Sequence, residues 1–205
     1  ANCIREFTST TNTIHHTNTI AILPGSRRSE ISHCLPTMLE AARAVAKNKY
    51  QIIVAAAPGI DDSFYQTYLE NEILTRNPYA TLAQAKAAVV NSGTATLETA
   101  LIGCPQTAVY HVAGSKYLEK FLRPIMFSIP NFTLVNIISK QEIIQELIAS
   151  RFTQENVTNE LQRLLHDNAY REQMQTNYLH LWNILGNNSA SETAAEQIIT
   201  TVNQK

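Results

Sequence analysis

The chain has 205 residues, of which 44% are apolar and 16% are charged, and its formal net charge is −1. This length suffices for one large domain with its own hydrophobic core, and the near-neutral charge argues against a broad nucleic-acid-binding surface. No apolar run reaches the ~18 residues needed to span a bilayer.

Taken in chain order, short apolar runs alternate with helical patterns. Residues 8–19 are polar and β-branched without an apolar period, which predicts a linker or an irregular loop, and we place a linker at residues 1–18. The runs that predict strands lie at 19–23, 50–57, 72–76, 87–90 and 106–112. The patterns that predict helices lie at 30–48, 61–70, 77–85, 93–103 and 115–126. A short buried run is predicted at 132–138, before a helical C-terminal tail from about residue 141, with helices at 141–150, 156–168, 169–186 and 189–202.

This alternation of strands and helices is typical of an α/β fold. Short apolar strands separated by helices predict a parallel sheet, since parallel strands need crossover connections. The helices then cover both faces of that sheet. We predict one such domain over residues 19–205, and its C-terminal helices either pack around the sheet or reach to another domain.

The cysteines and histidines give no sign of a metal site. Cys3, Cys34 and Cys104 lie far apart and have no metal-ligand spacing. An odd number of scattered cysteines predicts reduced, partly buried thiols in a cytoplasmic protein. His15 and His16 are adjacent in a Thr- and Asn-rich segment, where they lack the fixed geometry of metal ligands, and we interpret them as solvated loop residues.

Two strand–helix corners carry the residues that could bind a ligand, because ligands of open parallel sheets bind outside the carboxyl ends of the strands. The first corner is "LPGSRRSEI", residues 23–31. Gly25 permits a close backbone approach, Ser26 offers a hydroxyl, and Arg27 and Arg28 offer guanidinium groups suited to phosphate oxygens. The alternative is an ordinary turn followed by a solvated arginine pair.

The second corner is "AAVVNSGTATLE", residues 87–98. A helix that begins directly after a strand presents backbone N–H groups and a positive dipole end to an anion, and hydroxyls of Ser92, Thr94 and Thr96 could add donors. The alternative is a simple helix cap by Ser92 or Thr94. The corner matches neither the dinucleotide fingerprint nor the Walker loop, and it is not a nucleophile elbow. A phosphate site and a capped helix both remain open on these residues alone.

Several segments of the chain together resemble a known family. They are, in order, "LPGSRRSEI", "NSGTATLETALIGCP", "VYHV", "FTLVNII", "QELI" and "ASETAAEQI". This series resembles the lipid-A-disaccharide synthase family, whose members are bacterial glycosyltransferases of the GT-B class. The resemblance extends over nearly the whole chain from about Ile20 onward.

The resemblance implies a fold, a reaction and a set of partners. The chain would be the C-terminal, Rossmann-like, UDP-sugar-binding half of a GT-B enzyme, preceded by part of the interdomain linker, with the N-terminal domain missing. The donor would be UDP-2,3-diacylglucosamine and the acceptor 2,3-diacylglucosamine 1-phosphate (lipid X). Transfer with inversion would give lipid A disaccharide 1-phosphate and UDP. The resemblance implies no metal and no other cofactor, and it places the general base in the N-terminal domain, so that the isolated half would be inactive.

The resemblance also assigns roles to residues of this sequence. Arg27 would be catalytic, neutralising the diphosphate as UDP leaves, and Glu98 would accept from the ribose hydroxyls. Asn136 would lie near the donor, and Tyr110, with His111, would flank the uracil. The full set of donor-binding residues would be Gly25, Ser26, Arg27, Ser92, Gly93, Thr94, Ala95, Glu98, Tyr110 and Asn136, with the amides of 92–95 holding the phosphates.

The sequence departs from the family pattern at two positions. Val135 stands where the family often has proline, before the asparagine, and Ala149 stands where it often has glutamine. The second departure puts in doubt a hydrogen bond from that glutamine to the donor or to the other domain.

Location and assembly follow from the same resemblance. Acylated substrates imply a cytoplasmic enzyme, peripheral to the cytoplasmic face of the inner membrane. The apolar segment 120–130, flanked by Lys120 and Arg123, could touch the bilayer, accept an acyl chain or be an ordinary kinked core helix. The family also implies a possible homodimer, and no nucleic-acid partner. Alternatives are a UDP-N-acetylglucosamine epimerase, another GT-B transferase, or a non-catalytic nucleotide-binding fragment.

Overall fold

The computed structural model describes residues 17–111 and 131–186. The strands are β1 (Thr19–Leu23), β2 (Gln51–Ala55), β3 (Ile73–Thr75), β4 (Ala87–Asn91), β5 (Gln106–Tyr110) and β6 (Glu146–Ile148). The α-helices are α1 (Arg28–Ala46), α2 (Asp62–Gln66), α3 (Pro78–Gln84), α4 (Thr94–Ile102), α5 (Leu134–Ser139), α6 (Gln154–His166) and α7 (Asn168–Leu185). A 3₁₀ turn at Ala149–Arg151 follows β6.

The strands form one parallel sheet in the order β3-β2-β1-β4-β5-β6. At its centre β1 pairs with β4 in the register Ile20↔Ala87 to Leu23↔Val90. The chain runs outward from β1 through β2 to β3, then returns past β1 to start β4. This reversal is the topological switch point of a doubly wound sheet, where a crevice opens outside the carboxyl ends of the strands. The predicted parallel α/β sheet is confirmed.

Alternate residues of the central strands face two separate hydrophobic layers, as the period-2 geometry of a strand requires. Ile20, Ile22 and Val89 belong to the layer that includes buried residues of α1 and α6. Ala21 and Val90 belong to the layer that includes Leu82 of α3 and Leu101 of α4. Helices therefore cover both faces of the sheet, as predicted.

Residues 141–150 were the main error in the predicted elements. The spacing of Ile143, Ile144 and Leu147 is that of a helix, but the segment contains strand β6. The side-chain oxygen of Asn136 accepts from the amides of Ile143 (2.8 Å) and Ile144 (3.1 Å), which removes them from any helical ladder. The next residues then pair with the open edge of β5, and the C-terminal helices begin only at Gln154.

The predicted buried run at 132–138 is in fact the short helix α5. The Thr133 hydroxyl accepts from the amide of Asn136 and so caps its first turn. Val135 and Asn136 are buried, but Phe132 and Ile137 expose 40% and 48% of their surface. Only one side of this segment therefore belongs to the core.

The described residues include two of the three cysteines. Cys34 and Cys104 are buried and form no disulfide, and burial raises their thiol pKa values to about 11 and about 12. Within residues 17–111 and 131–186, no cluster of His, Cys, Asp and Glu is arranged to hold a metal ion, and no helix there is both long and apolar enough to cross a bilayer. The predicted helices at 115–126 and 189–202, the segment 120–130, Cys3, His15 and His16 lie outside the described residues.

Candidate functional site

A cleft of about 490 Å³ opens at the switch point of the sheet. Its walls come from the ends of β1, β2 and β4, from the segments that follow them, and from the N-terminal parts of α1, α3 and α4. The lining residues are 23–27, Glu30, 55–58, Pro78, Tyr79, Leu82, 91–95 and Glu98. A larger groove of about 1010 Å³ is lined by the end of α1 and the junction of α6 and α7, away from this edge of the sheet. The cleft therefore brings the two predicted corners together in the place where doubly wound sheets bind ligands.

Gly25 allows the first corner to approach the rest of the cleft closely. Its φ is +122°, a backbone conformation that side-chain-bearing residues rarely adopt. A Cβ at this position would lie 2.7 Å from Oε2 of Glu30 and 2.8 Å from Nδ2 of Asn91. Both the conformation and the contacts require glycine.

The two arginines of the first corner have different surroundings. Arg27 lines the cleft, and its Nη1 donates to Oε1 of Glu30 at 2.9 Å. Arg28 instead pairs with Asp61 at 3.5 Å, lies over the ring of Phe64, and is not part of the cleft lining. Of these two arginines, Arg27 is therefore the one placed to contact an anion in this cleft.

The second corner supplies a helix N-terminus without a side-chain cap. The N-cap of α4 is Gly93, and among the described residues no side chain accepts from the first amides of this helix, so the capping alternative through Ser92 or Thr94 is wrong. Gly93 and Thr94 are exposed to the cleft. Free first-turn amides together with the helix dipole favour an anion at this point.

One amide and one hydroxyl that were expected to bind a ligand at this corner instead donate hydrogen bonds within the protein. The amide of Ser92 donates to the carbonyl of Val109 at 2.7 Å as part of the sheet, so of Ser92 only the hydroxyl remains for a ligand. The hydroxyl of buried Thr96 donates to the carbonyl of Gly93 at 2.8 Å. The amides left to face an anion are those of Gly93, Thr94 and Ala95.

Glu98 lies one turn inside α4, at the far wall of the cleft. The hydroxyl of Tyr79, from the first turn of α3, donates to Oε2 of Glu98 at 3.3 Å. Glu98 is partly buried. Its carboxylate is an acceptor beside the N-terminus of α4, on the same cleft.

Comparison with known proteins identifies the family. Residues 3–199 match the family model described as lipid-A-disaccharide synthetase. The chain belongs to the lipid-A-disaccharide synthetase family. Named lipid-A-disaccharide synthases from Syntrophus aciditrophicus and Koribacter versatilis are 34% and 33% identical to it, over 90% and 91% of this chain and 49% and 50% of theirs. The chain thus spans about half the length of the curated relatives it matches.

Solved glycosyltransferases share the fold. The glycotransferase of kitacinnamycin superposes with a TM-score of 0.54 at 13% identity, over 93% of this chain and 44% of that one. The glycosyltransferase VinC, solved in complex with dTDP, gives 0.52 at 16% identity, over 97% and 43%. At these identities the likeness shows a glycosyltransferase fold and nothing finer.

Three predicted donor contacts of the synthetase family lie outside the cleft lining. Asn136 is fully buried, and its amide group makes four hydrogen bonds, to the amides of Ile143 and Ile144, to the carbonyl of Ile144 and to Glu146. The ring of Tyr110 packs against Phe132 at 5.4 Å, and His111 stacks on His33 at 4.7 Å. Their roles in donor binding stay predictions.

Glu30, Asn91 and Tyr79 are polar residues of the cleft lining that the sequence patterns did not indicate. Glu30 and Asn91 stand inside the quoted motifs, and Tyr79 stands in α3. Asn91 is 5% exposed, and its side-chain oxygen accepts from the thiol of Cys34 at 3.4 Å. Glutamate is common at the third helical position, where it accepts from the amide of the N-cap residue. Glu30 stands at this position relative to Arg27, and this signal could have indicated it. Nothing local indicates that Tyr79 faces Glu98.

Proposed function

We propose that this chain is the donor-binding half of an inverting glycosyltransferase that joins UDP-2,3-diacylglucosamine to lipid X, giving lipid A disaccharide 1-phosphate and UDP. Family membership over residues 3–199 supports the reaction class. The observation that carries the site is one cleft at the switch point that holds both Arg27 and the uncapped N-terminus of α4. Two independent anion-attracting groups at one edge suit a diphosphate.

The proposed chemistry places charge development at this cleft. The 6-hydroxyl oxygen of the acceptor attacks the anomeric carbon of the donor from the face opposite UDP. The bond from that carbon to the phosphate oxygen breaks, and its electron pair leaves on UDP. Arg27 and the amides of Gly93, Thr94 and Ala95 stabilise the growing negative charge. The hydroxyl proton goes to a base that we assign to the other half of the enzyme.

The remaining contacts set the position of the donor. Glu98, which accepts a hydrogen bond from Tyr79, accepts from the ribose hydroxyls beside the diphosphate. Gly25 and Ser26 shape the loop that carries Arg27. We propose that protein cations and amides replace a metal in this reaction and that no cofactor is needed.

We propose the partners on the same basis. Both substrates carry acyl chains, so the enzyme would work in the cytoplasm at the inner-membrane surface as a peripheral protein. An N-terminal domain would supply the acceptor site, in keeping with relatives about twice as long as the matched region. Pairing into a homodimer belongs to the same proposal.

Calorimetric titration of UDP tests the site. Arg27→Ala should weaken UDP binding roughly ten- to a hundredfold, since a hydrogen bond to a charged group contributes roughly 1.5–3 kcal/mol. Arg28→Ala is the matched control, because its guanidinium pairs with Asp61 and does not line the cleft. Equal affinity of the two variants for UDP would remove Arg27 from the site. Assays of the whole protein with acylated and non-acylated sugar nucleotides then test the substrate class.

A further inference from the structure

Glu30 holds the donors that a phosphate would need at the first corner. Its Oε2 accepts from the amides of Ser26 (3.0 Å) and Arg27 (3.3 Å). Its Oε1 accepts from the guanidinium of Arg27 at 2.9 Å. The carboxylate lines the cleft, and 23% of the side chain is exposed. Two backbone amides and a guanidinium are the same set of donors that binds phosphate oxygens in proteins.

This arrangement goes beyond an ordinary helix cap. A glutamate at the third helical position commonly accepts from the amide of the N-cap residue. Glu30 also accepts from the amide of Ser26, the residue before the N-cap, and pairs with the guanidinium of Arg27. The Arg27 side chain is 78% exposed. The result is a negative charge inside the cleft that is proposed to receive a diphosphate.

The strength of the contact allows exchange. An ion pair with an exposed partner is weak, because water competes for both charges, and Arg27 is such a partner. A diphosphate carries more charge than a carboxylate and forms stronger charge-assisted hydrogen bonds with the same groups. A diphosphate can therefore accept the hydrogen bonds of the Arg27 guanidinium and the loop amides in place of Glu30, whose side chain would then turn toward solvent.

We propose that Glu30 is a placeholder for the donor phosphate. In the empty cleft its carboxylate keeps the 25–27 loop and Arg27 in the geometry that receives an anion, and the diphosphate displaces it on binding. This inference rests on the proposed function of the cleft as a nucleotide-diphosphate site, and it assigns Glu30 a part in exchange that the resemblance did not imply. Glu30 is a positioning residue, since it acts through Arg27 and the loop amides.

The test compares UDP, pyrophosphate and uridine as ligands of the wild-type chain and of Glu30→Gln, at low ionic strength. Removing the competing charge should tighten UDP and pyrophosphate binding about two- to fivefold, and leave uridine binding unchanged. Glu40→Gln is the control, since Glu40 is an exposed carboxylate of the same helix outside the cleft. It should not change any of the three affinities.

Unchanged or weaker UDP binding by Glu30→Gln would overturn the inference. A loss shared with Arg27→Ala in a double-mutant cycle would show instead that Glu30 is a fixed part of the bound site. If Glu30→Gln does not fold, Glu30→Asp tests the positioning part of the proposal. Aspartate keeps the negative charge but is too short to reach the loop amides and the Arg27 guanidinium together. It should therefore bind UDP and pyrophosphate more weakly than wild type, and an affinity equal to or above that of wild type would overturn the inference. If neither the wild-type chain nor any variant binds UDP or pyrophosphate, the proposed function is overturned together with this inference. If only Glu30→Gln fails to bind, this inference is overturned and the proposed function stands.

Discussion

At the scale of single residues, the cleft depends on positions whose neighbours allow few substitutes. Gly25 combines a positive φ with close contacts to Glu30 and Asn91. Arg27 and Arg28 are adjacent in the chain, yet one lines the cleft and the other pairs with Asp61. Roles at this site therefore belong to individual positions and not to the motif as a block.

Gly25→Ala should destabilise the fold and abolish UDP binding. Backbone strain alone costs on the order of 1–3 kcal/mol, and the new Cβ would also displace Glu30 or Asn91. Gly59→Ala is a matched control, because Gly59 also has a positive φ (+77°) but no atom within 4 Å of the added Cβ. Urea unfolding and UDP titration would measure both effects. A Gly25 variant no less stable than the Gly59 variant, with UDP binding intact, would contradict this account.

Some residues of the cleft are indicated by local sequence patterns and others are not. Gly25, Ser26, Arg27 and the 93–95 amides could be predicted because turn chemistry and helix N-termini are local properties. The contact of Tyr79 with Glu98 and that of Asn91 with Cys34 join separate elements. No local pattern records such contacts, because they depend on how the helices pack onto the sheet.

At the scale of elements, β6 is held in place by a side chain and not by its own strand propensity. Asn136 accepts from the amides of Ile143 and Ile144, and Glu146 accepts from Asn136 and from the amides of Phe132 and Thr133. The apolar period of 141–150 suits a helix. The edge of β5 and the Asn136 contacts outweigh it, and both are tertiary, so the sequence could not reveal them.

Asn136→Ala should destabilise the fold by several kcal/mol, since it leaves the buried amides of Ile143 and Ile144 without an acceptor at roughly 1–3 kcal/mol each. Thermal and urea unfolding would measure the loss. Asn159→Ala, at an exposed position on α6, should be near neutral. If the Asn136 variant keeps its stability but loses UDP affinity, Asn136 contacts the donor directly, as the family resemblance predicts.

A second element-scale contact makes stability depend on acid pH. Burial alone would raise the pKa of Glu72, but hydrogen bonds from Arg43 of α1 and from backbone amides outweigh it and hold the pKa at about 2. The folded value lies below the ordinary 4.5, so this stabilisation is fully present above about pH 4.5 and is lost as the pH falls toward 2.

Glu72→Gln should therefore lower stability at neutral pH and flatten its decline between pH 4.5 and 2. Denaturant unfolding across this range would measure the slope. Asn159→Ala, at an exposed position on α6, removes no titratable group and should leave the slope as in wild type. An unchanged pH slope in Glu72→Gln would show that other carboxyl groups account for the decline.

At the scale of the whole molecule, the parallel sheet and its coverage could be predicted, since alternation and hydrophobic period determine them together. The strand order could not, because pairing between distant strands leaves no mark in local composition. The position of the cleft follows from that order, at the edge between β1 and β4.

The chain by itself should bind UDP but should not transfer sugar to lipid X, because the proposed base and acceptor site lie in the other half of the enzyme. A radiolabelled-donor assay with the chain and with the whole protein would check this, using matched UDP affinities as the control for folding. Turnover by the chain alone would mean that a base is present within these 205 residues.

The pairing of β1 with β4 has a thermodynamic consequence. Ile20 and Ala87 are neighbours in the sheet but lie far apart along the chain, so their meeting requires closure of a long loop, which costs conformational entropy. The two walls of the cleft come together only when these strands pair. The unfolded chain therefore has no complete site for a nucleotide, and a ligand of the cleft should raise the melting temperature in a concentration-dependent way.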